Sequence, residues 1–288
     1  MSLEIQHLNK FYGKTQALND VTVTFESEKI YGLLGRNGAG KTTLLNLIAN
    51  RIFTPYGNIL LDGEEIEEND KALSKLFLVN SDNLYPKHMT VEKAFRLTKS
   101  FYKEFDLEKA YGFAKQFALY TSARIGALST GYQTIFKDIL ALSMDLPYIL
   151  MDEPALGLDA NHRELLYRLL VTEYAEKPRT YILSTHLIDE IANVIENVVI
   201  LDEGKILADE TCEALLSRGY TATGPQAQIE AFAADKTVIG QTQLGAFVSV
   251  NILDENGRTS SVPEGVDITP LDLQKLFVAM TGGAGAEK

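Results

Sequence analysis

The chain has 288 residues, 45% of them hydrophobic, and a net charge of −12. That length suits one large domain or a domain with a small addition, and the acidic balance argues against holding nucleic acid by phosphate neutralisation or adhering directly to an anionic membrane. Cys212 is the only cysteine, the N-terminal MSLEIQHLNK lacks the apolar core of a secretory leader, and no run reaches the ~18–20 apolar residues of a spanning helix, so a reducing compartment fits and any membrane work requires a second polypeptide.

In chain order, Leu3 to Leu8 and Val21 to Ser27 alternate as half-buried strands do. Between Asn58 and Ile66 the sequence reads as a hairpin turning at Asp62-Gly63. Together these predict an antiparallel layer. KIYGLLG (Lys29 to Gly35), PYILMDEP (Pro147 to Pro154) and RTYILSTH (Arg179 to His186) are short apolar runs ending in small or polar residues, the pattern of strands buried on both faces. Helical patterns alternate with them and predict a parallel α/β layer. Thr90 to Ala123 reads as mainly helical, within a helical subdomain at about 85–145.

Composition shifts after Asp202 to Glu210. GYTATGPQAQ, residues 219–228, reads as a linker. The division expected is therefore a main domain over 1–218 and a small α+β domain over 219–288. The latter should hold a strand at Ala246 to Leu253 and a turn at Asn256-Gly257. A final helix should open at the box Thr269-Pro270-Leu271-Asp272, with Leu273, Leu276, Phe277 and Met280 as its apolar stripe.

The chemistry is concentrated in GRNGAGKTT: Gly35, Arg36, Asn37, Gly38, Ala39, Gly40, Lys41, Thr42 and Thr43. It follows a strand and precedes the helical TTLLNLIANR, the context of a phosphate-binding loop. Glycines let backbone N–H groups turn inward around an anion, and the helix N-terminus adds partial positive charge. Lys41 suits the outer phosphates, and the Thr42 hydroxyl suits Mg²⁺. A metal-holding carboxylate belongs at the end of a neighbouring strand. Asp152 meets that need, and the adjacent Glu153 is placed to accept a proton from an attacking water.

These residues, with Leu128-Ser129-Thr130-Gly131-Tyr132, Gly157-Leu158-Asp159 and Ser184-Thr185-His186, occur in the order found in the ATP-binding subunits of ABC transporters. The chain resembles that family over residues 1 to about 215, and most resembles the single-domain subunits of bacterial exporters. The resemblance implies a P-loop NTPase core with an antiparallel layer and a helical subdomain, and ATP with Mg²⁺ as cofactors. It implies a homodimer, or a pair with a related subunit, closed over two nucleotides. It also implies a separate polytopic membrane subunit that holds the chain at the inner face of the cell membrane from the cytoplasm, with no role for nucleic acid.

By the same resemblance Tyr12 stacks on adenine, with Phe11 as the fallback. Ser129 and Gly131 hold the γ-phosphate of the opposing subunit's ATP, Asp159 joins the two sites, and His186 orients the water that Glu153 activates beside Lys41. Each residue has a plainer reading too: Tyr12 a surface turn aromatic, Ser129 and Asp159 helix caps. The family signature has glycine and glutamine where Thr130 and Tyr132 stand. Its usual metal-sensing glutamine corresponds to Asn80, one methylene shorter, which either reaches the metal through water or is a strand-end turn residue. The function expected is ATP hydrolysis that powers transport, in the direction of export. The alternatives are a soluble ATPase of this type that remodels a non-membrane partner, and a regulator with little turnover, which the presence of both Glu153 and His186 disfavours.

Overall fold

The computed structural model describes residues 1–82, 84–254 and 262–282. They form two compact units, one from 1–186 with 201–206, the other from 187–200 with the chain from 207 onward.

In the first unit, β1 (Ser2–Tyr12), β2 (Thr15–Glu26), β3 (Ile30–Leu34) and α1 (Lys41–Ile48) come first. Then follow β4 (Asn58–Leu61), β5 (Glu64–Glu65), α2 (Asp70–Leu73), β6 (Leu76–Val79), α3 (Val91–Phe101) and α4 (Leu107–Gln116). The rest is α5 (Thr130–Leu142), β7 (Tyr148–Asp152), α6 (Ala160–Glu176) and β8 (Thr180–Thr185). Alternation puts Leu3, Ile5 and Leu8 of β1, and Val21, Val23 and Phe25 of β2, into the core. These strands pair antiparallel in the order β2-β1-β4-β5. The β4–β5 turn is Asp62-Gly63, both at positive φ, which is the turn that matches strand twist.

The apolar runs behave as their composition dictates. β3, β6 and β8 are buried at every position, β7 at all but its last, and β3-β8-β7-β6 form a parallel array. Register aligns Leu34 with Thr185, Asp152 with Ser184, and Val79 with Met151. The residues just past the C-terminal ends of four strands therefore share one edge of the sheet. In parallel sheets that edge is where ligands bind.

In the second unit lie α7 (Ile188–Ile191), α8 (Cys212–Arg218), β11 (Gly219–Pro225), α9 (Gln226–Ala233), β12 (Thr237–Leu244), β13 (Phe247–Leu253), β14 (Asp267–Pro270) and α10 (Leu273–Thr281). Two strands, β9 (Asn197–Asp202) and β10 (Lys205–Thr211), are divided between the units. The sheet order is β12-β13-β11-β14.

Residues 219–228 are thus not a linker. They supply β11, hydrogen-bonded on both sides, and the start of α9. Their glycines and threonines conceal an alternation: Tyr220 and Ala222 join Val248, Val250, Ile252, Ile229 and Phe232 in the core. Gly224 sits where a Cβ would come 2.8 Å from the Gly265 carbonyl, so its small size serves packing. The compact unit also begins earlier than 219, because α7 and α8 both pack on α10. A Cβ on Gly219 would overlap Leu276 of that helix. The last helix is capped by Asp272, which accepts from the Lys275 N–H at 2.7 Å, and Thr269-Pro270 belongs to β14. Leu273, Leu276 and Phe277 are buried as the stripe requires, and Met280 is half-buried. The Asn256-Gly257 turn lies outside the described residues.

Candidate nucleotide site

Among the described residues seven helices begin at a side-chain cap: Asn69, Thr90, Asp106, Ser129, Asp159, Thr211 and Asp272 each accept a backbone N–H. Helix α1 begins at Gly40, at φ 111°, with no side-chain cap bond. Its first amides are left for a ligand, at the end where an anion is favoured. Gly38 and Gly40 both have positive φ. A Cβ at Gly40 would lie 2.6 Å from the Ala17 carbonyl, and one at Gly35 would lie 2.5 Å from the Leu201 carbonyl. The loop is fixed by a turn, Ala39 N–H to the Arg36 carbonyl at 3.1 Å, and the Ala39 carbonyl accepts from Gly204 at 3.0 Å. Arg36, Asn37 and Gly38 form its exposed rim, and Thr43 continues α1.

Lys41 is 6% exposed and donates to the Gly35 carbonyl at 2.6 Å. Burial pulls its ammonium below the ordinary lysine value, and Glu153 and Asp152 partly offset that pull. Thr42 donates to one Asp152 carboxylate oxygen and Ser184 to the other, each at 2.7 Å. Among the described residues no group of three or more His, Cys, Asp or Glu side chains could hold a metal ion. A hydroxyl and one carboxylate fit a magnesium ion that draws its remaining oxygens from phosphates and water.

Glu153 is fastened from several sides. Its backbone N–H donates to the Ser184 carbonyl at 2.8 Å, and its φ of 53° is a left-handed conformation unusual for a residue with a side chain. Thr185 donates to its carboxylate at 3.2 Å, and His186 Nδ1 lies 2.9 Å from both oxygens. Lys41 Nζ lies 3.6 Å from Oε1. The structure therefore brings Lys41, Thr42, Asp152, Glu153 and His186 together.

Asn80 stands beside them, 5% exposed, on a cavity of about 170 Å³ that Thr42, Asp152 and Glu153 also line. Its amide turns into its own loop. Oδ1 accepts from the Asp82 N–H at 3.0 Å, and Nδ2 faces Asn46 Oδ1 at 3.3 Å and Asp82 Oδ2 at 3.4 Å. Both plain readings of the caps hold: Ser129 accepts from Tyr132 N–H at 3.3 Å, and Asp159 from His162 N–H at 2.9 Å. Gly131 lies against Gly157, where a Cβ would come 2.6 Å from the carbonyl. Tyr12 is 51% exposed, with Lys10 Nζ 5.2 Å from its ring centroid, whereas Phe11 packs edge-on to Tyr56.

The cavity also holds a residue that sequence reasoning passed over. Asp138, within α5, is 2% exposed and its Oδ2 has no hydrogen-bond partner. The only signal in the sequence is an acid among the apolar positions Ile135, Phe136, Ile139 and Leu140. Burial holds its pKa well above the usual aspartate value. A raised folded value means stability is fully present below the unfolded pKa, near 3.8, and is lost as pH rises from there. Asp138→Asn should therefore be more stable than the parent at pH 7.5 by about 1–3 kcal/mol, the scale of burying an unpaired polar group. Denaturant unfolding at pH 7.5 and pH 4 checks this, with the advantage fading at the lower pH.

Residues 18–156 match the family model described as ABC transporter. The ABC transporter ATP-binding protein YtrB of Bacillus subtilis is 27% identical over 98% of both chains. The taurine import ATP-binding protein TauB of Shigella dysenteriae is 33% identical, over 70% of this chain and 80% of its own. The Nod factor export ATP-binding protein I of Burkholderia orbicola is 25% identical over 97% of both. Among solved structures, the dimeric post-hydrolysis state of an ATP-binding cassette bound to ADP and Pi superposes with a TM-score of 0.65 at 22% identity, covering 73% of this chain and 98% of that one. The fold is the P-loop NTPase fold of such cassettes, and the chain belongs to the ATP-binding proteins of ABC transporters, a family of ATP-hydrolysing subunits.

Proposed function

We propose that two copies of this chain, or one copy and a related subunit, close over two ATP molecules and so drive export through a separate membrane subunit. The observation that carries this reading is the meeting of an uncapped glycine loop with Asp152, Glu153 and His186 at one sheet edge. Thr42 and Asp152 would hold a magnesium ion, with Asn80 reaching it through water, and the ion would supply positive charge against the phosphates. The loop amides and Lys41 bind the phosphates, Glu153 takes the proton of the attacking water, and His186 orients that water. Tyr12 offers a stacking face for adenine. The exposed caps Ser129 and Asp159, with Gly131 at the start of α5, cover the partner's nucleotide, in keeping with the dimer described for the related cassette.

Among the described residues no helix is long and apolar enough to cross a membrane. A groove lined by Phe77, Asn80, Leu84, Tyr85, Phe136 and Lys137, with Leu84 62% exposed, suits a helix of the membrane subunit. Export is supported by the exporter relative, which aligns over 97% of both chains, where the import relatives align over 70–90% of this chain and 56–80% of their own. Co-purification with a polytopic membrane protein is the expected result, and ATP-driven uptake into inside-out vesicles is the mark of export. Recovery of a ribosome or a soluble scaffold instead would favour the remodelling alternative.

Asn80 supplies a further check. Asn80→Ala should lower partner-stimulated hydrolysis about 2- to 10-fold, the worth of one hydrogen bond, and Asn80→Gln should retain it. Unchanged stimulation in both variants would leave Asn80 a loop residue and nothing more.

A further inference from the structure

Tyr132 stands where the family signature has glutamine, and its surroundings give that departure a use. Its ring meets the His162 ring edge-on, with centroids 5.9 Å apart and planes at 64°. His162 in turn lies over Phe117 at 6.0 Å, and its Nδ1 is 3.0 Å from Asp159 Oδ2. The Asp159 carboxylate also accepts the His162 N–H, which helps hold its pKa below the usual value. Two more ties join the same segments. Thr134 Oγ1 donates to the Leu156 carbonyl at 2.9 Å, and Gly131 approaches Gly157 as closely as only a glycine can.

We propose that Tyr132 and His162 are positioning residues that latch the 156–159 loop onto the start of α5, so that Ser129, Gly131 and Asp159 form one preassembled face. Tyr132 does its work through the imidazole and does not touch nucleotide. The latch rests on the composite-site reading above for its purpose, but it exists within a single chain and can be tested there. Aromatic pairs at this separation contribute modestly, so losing the contact should loosen the loop by about 3- to 10-fold in equilibrium terms.

The experiment is amide hydrogen exchange on the full chain, nucleotide-free, across residues 156–162. Tyr132→Ala and His162→Ala should each speed exchange there about 3- to 10-fold. The double variant should do no more than His162→Ala alone, because Tyr132 acts only through the imidazole, and Tyr132→Phe should match the parent. In a Glu153→Gln background the same single variants should weaken ATP-dependent dimerisation by a similar factor. Exchange unchanged in Tyr132→Ala, or single effects that multiply in the double variant, would overturn the latch. A Glu153→Gln chain that never dimerises with ATP would instead count against the composite site, while exchange still decides the latch.

Discussion

Glu153→Gln should bind ATP with near-parental affinity and hydrolyse it ~10²–10⁴ times more slowly, the usual loss on removing a general base. Closed dimers should accumulate, visible as an ATP-dependent shift in size-exclusion chromatography. The substitution is nearly isosteric. The carbonyl oxygen of glutamine can still accept from Thr185, and the backbone bond to Ser184 is untouched. What disappears is the proton acceptor. Because Glu153 also faces His186 at 2.9 Å and Lys41 at 3.6 Å, its charge organises both. Normal turnover in this variant would refute the base assignment, since no other carboxylate is placed next to His186 in the geometry described.

Lys41→Ala should act on a different step. The ammonium is buried, bonded to the Gly35 carbonyl, and close to Glu153. In the nucleotide-bound chain the same atom is expected to meet phosphate oxygens. Removing a charge-assisted contact forfeits roughly 1.5–3 kcal/mol, which is about a 10- to 150-fold weaker nucleotide affinity. Folding stability should shift by the balance of two opposing changes: the desolvation of the ammonium is relieved, and Glu153 loses a partner 3.6 Å away. Calorimetric titration with a non-hydrolysable ATP analogue, beside a thermal unfolding scan, separates the two effects. Parental affinity would show that the loop amides alone bind the triphosphate.

The parts of this site that were legible in the sequence share a property: their chemistry depends on spacing along the chain. Gly35 to Thr43, Asp152-Glu153 and Ser184-Thr185-His186 are contiguous stretches at the ends of apolar runs, and the parallel register then brings them together. Ser129 and Asp159 were legible as caps because a cap bonds within its own turn. What stayed hidden depends on partners distant in sequence. The pairing of Tyr132 with His162 spans thirty positions, and Asp138 is unusual only because of what surrounds it. Strand β11 escapes a periodicity reading because only one of its inward positions is large. Beside Tyr220, Ala222 and Gly224 fill narrow space that periodicity of large apolar residues cannot signal. The charge and length of the chain set its class, but they could not show that the second unit recruits 187–200.

That recruitment changes how the C-terminal region can be handled. Cutting the gene after codon 218 would not yield a minimal motor with a tail trimmed off. It would strip α10 from α7 and α8, on which it packs. A shortened product should therefore be prone to clumping, and grafting the region onto another motor would require carrying 187–200 along with it.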